Sequence, residues 1–155
     1  MPAEIVRQRV GNEVWKRYFK FCAIRNPYDK TVSHFWWQLP HEKRAEFRSA
    51  DFSVVRAAFS AWASPGSFPL DQQVFMIGRE VAVDGFIRYE CLRTDMEQVC
   101  IRLGIPWSPG RLGQYKAEFR VRNEHFSEYY DHRSEELVRS SYSWELANFP
   151  YRREA

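Results

Sequence analysis

Apolar and polar positions in this chain follow a helical period in some stretches and a strand period in others, and each change of period marks an element. Residues 3–16 read as a polar amphipathic helix, and the short apolar run over 18–24 reads as a buried strand. Asn26 and Pro27 then open a helix that runs to about residue 37, because Asn is a good cap and Pro suits a first turn that needs no backbone donor. Leu39-Pro40 breaks it. In the helical region that follows, Phe52, Val55, Phe59 and Trp62 share one face, with Ser49 or Asp51 able to cap it. The stretch 63–70, with Pro65, Gly66 and Pro69, reads as a loop, either a wall of a cleft or a plain surface connection. Segments 73–77 and 80–83 predict a hairpin about Gly78-Arg79, and 86–89 a further strand. Leu92, Met96, Val99, Cys100 and Leu103 repeat at helical spacing, with a capping box expected from Thr94 and Glu97 and a stop at Gly104. The sum predicts an α/β fold in one domain over 1–155, a small and mainly parallel sheet covered by helices.

Composition narrows this picture. A chain of 155 residues that is 45% hydrophobic and 17% aromatic has enough apolar mass for a core, which argues against disorder. The net charge of +3 is mild, and the basic residues gather over 111–122 and 133–153, a pattern suited to an acidic ligand rather than a long nucleic acid. Cys22, Cys91 and Cys100 are odd in number and sit in core-like patterns, so they predict reduced thiols and a cytoplasmic setting. No apolar run approaches the roughly 20 residues that span a bilayer. His34, His41, His125 and His132 lack the spacing of a metal site, and no metal is expected. There is no internal repeat.

The candidate chemistry centres on Arg25. A buried strand carries its guanidinium to the mouth of the helix that opens at Asn26-Pro27, where unpaired amides and the positive end of the helix dipole attract an anion. A guanidinium there grips two phosphate oxygens at once, and Ser33, about two turns along, adds a neutral hydroxyl. Further on, Tyr115 to His125 interleaves basic residues with aromatics, and alternation over 119–122 suits an exposed edge strand. Glu90 closes the predicted strand 86–89, where pairing with an arginine or facing a ligand cleft are both open.

The run Phe19-Lys20-Phe21-Cys22-Ala23-Ile24-Arg25-Asn26-Pro27-Tyr28-Asp29-Lys30-Thr31-Val32-Ser33 resembles the segment by which sulfotransferases hold the 3′-phosphate of 3′-phosphoadenosine 5′-phosphosulfate. Phe86-Ile87-Arg88-Tyr89-Glu90-Cys91-Leu92 is similar to that family's second block, an aromatic-Glu-x-Leu strand end leading into a helix, and 126–151 looks like its closing helices. The resemblance is closest to compact bacterial carbohydrate-type members. It implies a fold like that of the P-loop kinases, with Arg25 and Ser33 as ligands of the 3′-phosphate. By the same resemblance Lys116, Arg120 and Arg122 belong to a loop that covers the nucleotide, and the acceptor is a carbohydrate hydroxyl. The family's Lys-bearing Gly/Thr loop for the 5′-phosphosulfate has no counterpart here, since none of the seven glycines begins a Gly-x4-Gly-Lys-Ser/Thr pattern. The expectation is therefore a chain matching the C-terminal two-thirds to three-quarters of the family fold, with one sheet position empty and no catalytic residue assignable. A non-catalytic module that binds 3′-phosphoadenosine is the alternative, and a single-strand nucleic-acid binder using the segment near Tyr115 ranks below both.

Overall fold

A computed structural model of the chain describes residues 1–113 and 119–154. In chain order it contains α1 (Ala3–Val10), α2 (Asn12–Arg17), β1 (Phe21–Ile24), α3 (Pro27–Gln38), α4 (His41–Ser49), α5 (Phe52–Trp62), α6 (Gln72–Phe75), β2 (Met76–Ile77), β3 (Glu80–Val81), β4 (Gly85–Arg88), α7 (Leu92–Leu103), α8 (His132–Ser141) and α9 (Ser143–Asn148). Short 3-10 turns at Tyr89–Cys91 and Phe126–Tyr129 lead into α7 and α8. The fold class is α/β, with a two-stranded parallel sheet and helices about it. The described chain forms two compact units, Met1–Arg25 with Leu70–Gly113, and Asn26–Pro69 with Gln114–Ala155.

The first unit holds both sheets. β1 pairs with β4 in parallel, Phe21 opposite Gly85 and Ile24 opposite Arg88. β1 is shorter than the predicted 18–24, because Lys20 is already committed at its entrance: its amide donates to the Asp84 carboxylate at 2.8 Å and its ammonium sits 2.6 Å away. Gly85 suits this tight start, since a Cβ there would meet the Phe19 ring at 3.1 Å. The predicted first helix is two helices, broken at Gly11, whose φ of 80° a side chain would resist. The predicted hairpin is shortened: residues 72–75 form the turn of helix α6, and only Met76–Ile77 and Glu80–Val81 pair, in antiparallel register across Gly78 at φ 64°. Burial of Phe75 against Phe86, ring centroids 5.3 Å apart, holds that turn helical where alternation predicted strand.

α7 starts without the expected capping box. Leu92 is already helical, Cys91 caps with no side-chain bond, and Thr94 lies inside the helix. Asp95 explains the difference. It accepts the Arg88 amide at 2.8 Å and the Arg88 Nε and Nη2 at 2.9 and 2.8 Å, clamping the end of β4 to the first turn of α7. At its other end Gly104 adopts φ 66° and stops the helix as predicted.

The second unit is helical. Its core joins Trp36 and Phe35 of α3, Phe47 of α4, Val55 and Phe59 of α5, Tyr129 and Tyr130, and Val138 and Tyr142 near α8. The Phe59 ring meets Phe35, Tyr129 and Tyr130 edge-on at 5.4, 5.7 and 5.1 Å. Every hydroxyl and indole buried among them has a partner: Trp36 Nε1 donates to Tyr129 Oη at 3.2 Å, Tyr130 Oη to the Tyr28 carbonyl at 2.7 Å, and Tyr142 Oη to the Pro69 carbonyl at 3.1 Å. Asp51, not Ser49, caps α5 by accepting the Ser53 amide at 2.8 Å. The predicted loop over 63–70 is a folded turn, with Ser67 Oγ accepting the Ser64 amide at 3.1 Å and Phe68 buried beneath. Among the described residues no helix is long and apolar enough to cross a membrane.

Candidate functional site

Arg25 closes the N-terminal segment of the first unit and leaves β1 directly after the buried Ile24. Its guanidinium lies over the Tyr89 ring, 4.4 Å from the centroid. A flat aromatic beneath a guanidinium fixes the plane of the cation, so Tyr89 is a platform for it. The parallel register makes this possible: Ile24 stands opposite Arg88, so the residues that follow each of them emerge together at the carboxyl end of the strands.

The second unit begins at Asn26, which is 3% exposed and saturated on both sides. Its Oδ1 accepts the Tyr28 amide at 3.0 Å, and its Nδ2 donates to the Arg152 carbonyl at 2.9 Å. Pro27 fills the first helical position, and the Thr31 hydroxyl donates back to the Pro27 carbonyl at 2.7 Å. α3 thus opens as predicted, on a cap that is also a long-range clasp. Ser33 is half-buried on α3, and among the described residues its hydroxyl makes no side-chain hydrogen bond.

The other predicted cations have other neighbours. Arg122 forms a bidentate pair with Glu124 and donates from Nη1 to the Phe47 and Ala50 carbonyls, at 2.9 and 2.8 Å, so it ties off the end of α4. The pairing holds the Glu124 carboxyl below its ordinary range. Arg120 pairs with Asp29 of α3 at 3.1 Å, donates to the Glu124 carbonyl, and covers the Tyr129 ring. Lys116 lies outside the described residues. His125 caps the turn at Phe126–Tyr129 with Glu128, and His34 stacks on Trp37. Among the described residues no three His, Cys, Asp or Glu side chains gather as a metal cluster. Tyr89, which the residue pattern placed only in a strand, is the neighbour of Arg25 that sequence reasoning missed. Its signal was the matched ends of two apolar runs, both closing on a polar or aromatic residue.

The fold is that of an α/β protein, with an aromatic-backed arginine at the end of a parallel strand in one unit and a capped helix opening the other. The chain belongs to the same family as an uncharacterized protein of Archaeoglobus fulgidus, to which it is 30% identical over 107 residues, covering 68% of this chain and 84% of the relative. No protein-family model matches the chain, and no solved structure matches it.

Proposed function

We propose that this chain is a sulfotransferase-type protein that binds 3′-phosphoadenosine 5′-phosphosulfate by its 3′-phosphate, through Arg25 and Ser33. The observation that carries the reading is Arg25 itself, stacked on Tyr89 at the end of a parallel strand and followed at once by the Asn26-Pro27 helix start. In this reading Arg25 and Ser33 position the nucleotide and do not react. Their work is to hold the leaving bisphosphate in line with a hydroxyl acceptor, of a carbohydrate by resemblance, and to neutralise charge on it. Because these 155 residues hold no Gly-x4-Gly-Lys-Ser/Thr run, a binding module without transfer is the second reading.

Calorimetric titration with 3′,5′-adenosine bisphosphate beside 5′-adenosine monophosphate tests both. Binding that requires the 3′-phosphate and weakens about tenfold to a hundredfold in Arg25→Ala supports the site, as expected for loss of one or more charge-assisted bonds of about 1.5–3 kcal/mol each. Equal affinity in wild type and Arg25→Ala sinks it.

A further inference from the structure

A second ligand site is suggested by the cleft on α5, at a distance in sequence from Arg25 and wholly within the helical unit. It is a shallow, solvent-open depression of about 750 Å³. One face of α5 lines it, at the helical spacing of Ser53, Arg56 with Ala57, and Ser60 with Ala61, while Asp131 and Arg133 face it from the start of α8. Small residues at 57 and 61 let a ligand approach the helix backbone closely.

The hydrogen-bond bookkeeping of the cleft is one-sided. Arg133 spends Nη1 on the Ser60 and Ala63 carbonyls, at 3.2 and 3.1 Å, which anchors the side chain and leaves Nε and Nη2 unspent. Arg56 spends one Nη2 bond on the Tyr130 carbonyl at 3.3 Å, again leaving most of its donors. Asp131 has the opposite condition. One of its oxygens accepts the Ser134 amide and hydroxyl, both at 2.7 Å, and the other accepts the Ser60 hydroxyl. Its charge is therefore consumed in capping α8, whereas Asp51 at the far end accepts from the Ser53 amide and hydroxyl and has further lone pairs for a second hydroxyl. What the cleft offers is anchored guanidinium donors, an apolar floor, and a carboxylate beyond.

We infer that this cleft binds a small hydroxylated organic anion, a sugar acid or sugar phosphate, with its anionic group on Arg56 and Arg133 and a hydroxyl on Asp51. Arg133 is held by two backbone carbonyls before any ligand arrives, so little of its side-chain freedom is lost on binding, while Arg56, on one long bond, keeps most of its donors for the ligand. The two sources of the anion share this chemistry and differ in charge and geometry at the arginines.

Titration of the full chain at fixed salt with glucose 6-phosphate, glucuronate, glucose and inorganic phosphate tests it. The expected result is saturable binding of at least one acidic sugar, the stronger of the two naming the anion, with glucose silent and inorganic phosphate weaker. Arg56→Gln should weaken that binding about tenfold, and Arg25→Ala should leave it unchanged, which separates this site from the proposed nucleotide site. Arg133→Gln should do the same as Arg56→Gln, but it also removes an anchor of α5. Arg56, with its single weak backbone bond, is therefore the deciding variant, read beside an unchanged thermal midpoint. Binding unaltered in Arg56→Gln, loss of binding in Arg25→Ala, glucose binding as tightly as the acids, inorganic phosphate binding as tightly as the sugar phosphate, or no binding by any probe would each overturn the inference.

Discussion

Two side chains show how local chemistry becomes measurable here. Asp131 is held well below the ordinary carboxyl value, at about 2, first by the Ser134 hydroxyl, then by the Ser60 hydroxyl and the Ser134 amide. A carboxyl whose acidity is raised by folding stabilises the fold while ionised, so its contribution is complete above about pH 4 and is lost as the pH falls through about 2. Asp131→Ala should cost about 1–2 kcal/mol near neutrality through the lost cap, and the gap in urea midpoint between variant and wild type should close as the pH is lowered toward 2. A gap independent of pH would show that the carboxylate is not the source. Tyr89 acts on another residue rather than on a ligand. Tyr89→Leu keeps an apolar side chain at the strand end but removes the ring beneath Arg25, and should weaken adenosine bisphosphate binding about three- to fivefold with Arg25 still required. If Tyr89→Leu binds as wild type does, the ring has no positioning role.

At the scale of elements, ends matter more than middles. Gly104 stops α7 at φ 66°, and its surroundings would admit a Cβ, so the cost of Gly104→Ala is conformational and should be about 1 kcal/mol in denaturant melts. An unchanged midpoint would mean that the helix end relaxes instead. The same elements show what was legible beforehand. Helix α3 was readable because its start is written in adjacent residues, Asn26 and Pro27, and its apolar face is periodic. The start of α7 was misread because Asp95 answers to Arg88 on the preceding strand, a bond that no local rule for Thr94 and Glu97 contains. Residues 73–75 alternate like a strand yet coil, since Phe75 is fixed by Phe86, eleven positions further on. Arg122 looked like one more exposed cation on an alternating stretch; that Glu124 and the carbonyls closing α4 surround it depends on a meeting of segments more than seventy residues apart. The Arg25 half of the candidate site was legible for the opposite reason, because strand end, arginine and cap are consecutive.

Across the whole molecule the apolar mass is unevenly spent. The helical unit holds one cluster of fourteen buried residues, including Trp36, Phe35, Phe47, Phe59 and Tyr129. Among the described residues, the apolar side chains that the sheet-bearing unit buries are Ala3, Cys22, Ile24, Phe75, Ile87, Val99 and Cys100, while Ile5, Val14, Tyr18, Phe21 and Ile101 stay in contact with solvent. Amide exchange should therefore be slower in α3, α5 and α8 than in α1, α2 and β1, and equal protection throughout would refute this division. Phe59→Ala, at the hub of the aromatic cluster, should cost about 3–5 kcal/mol in urea melts and strip protection from α3 as well as α5. One bond sets the order in which such a molecule can be completed. The Asn26 side chain reaches the carbonyl of Arg152, 126 residues later. Closing so long a loop is entropically slow, so the Nδ2 half of the Asn26 clasp should form after the local Oδ1 cap on the Tyr28 amide.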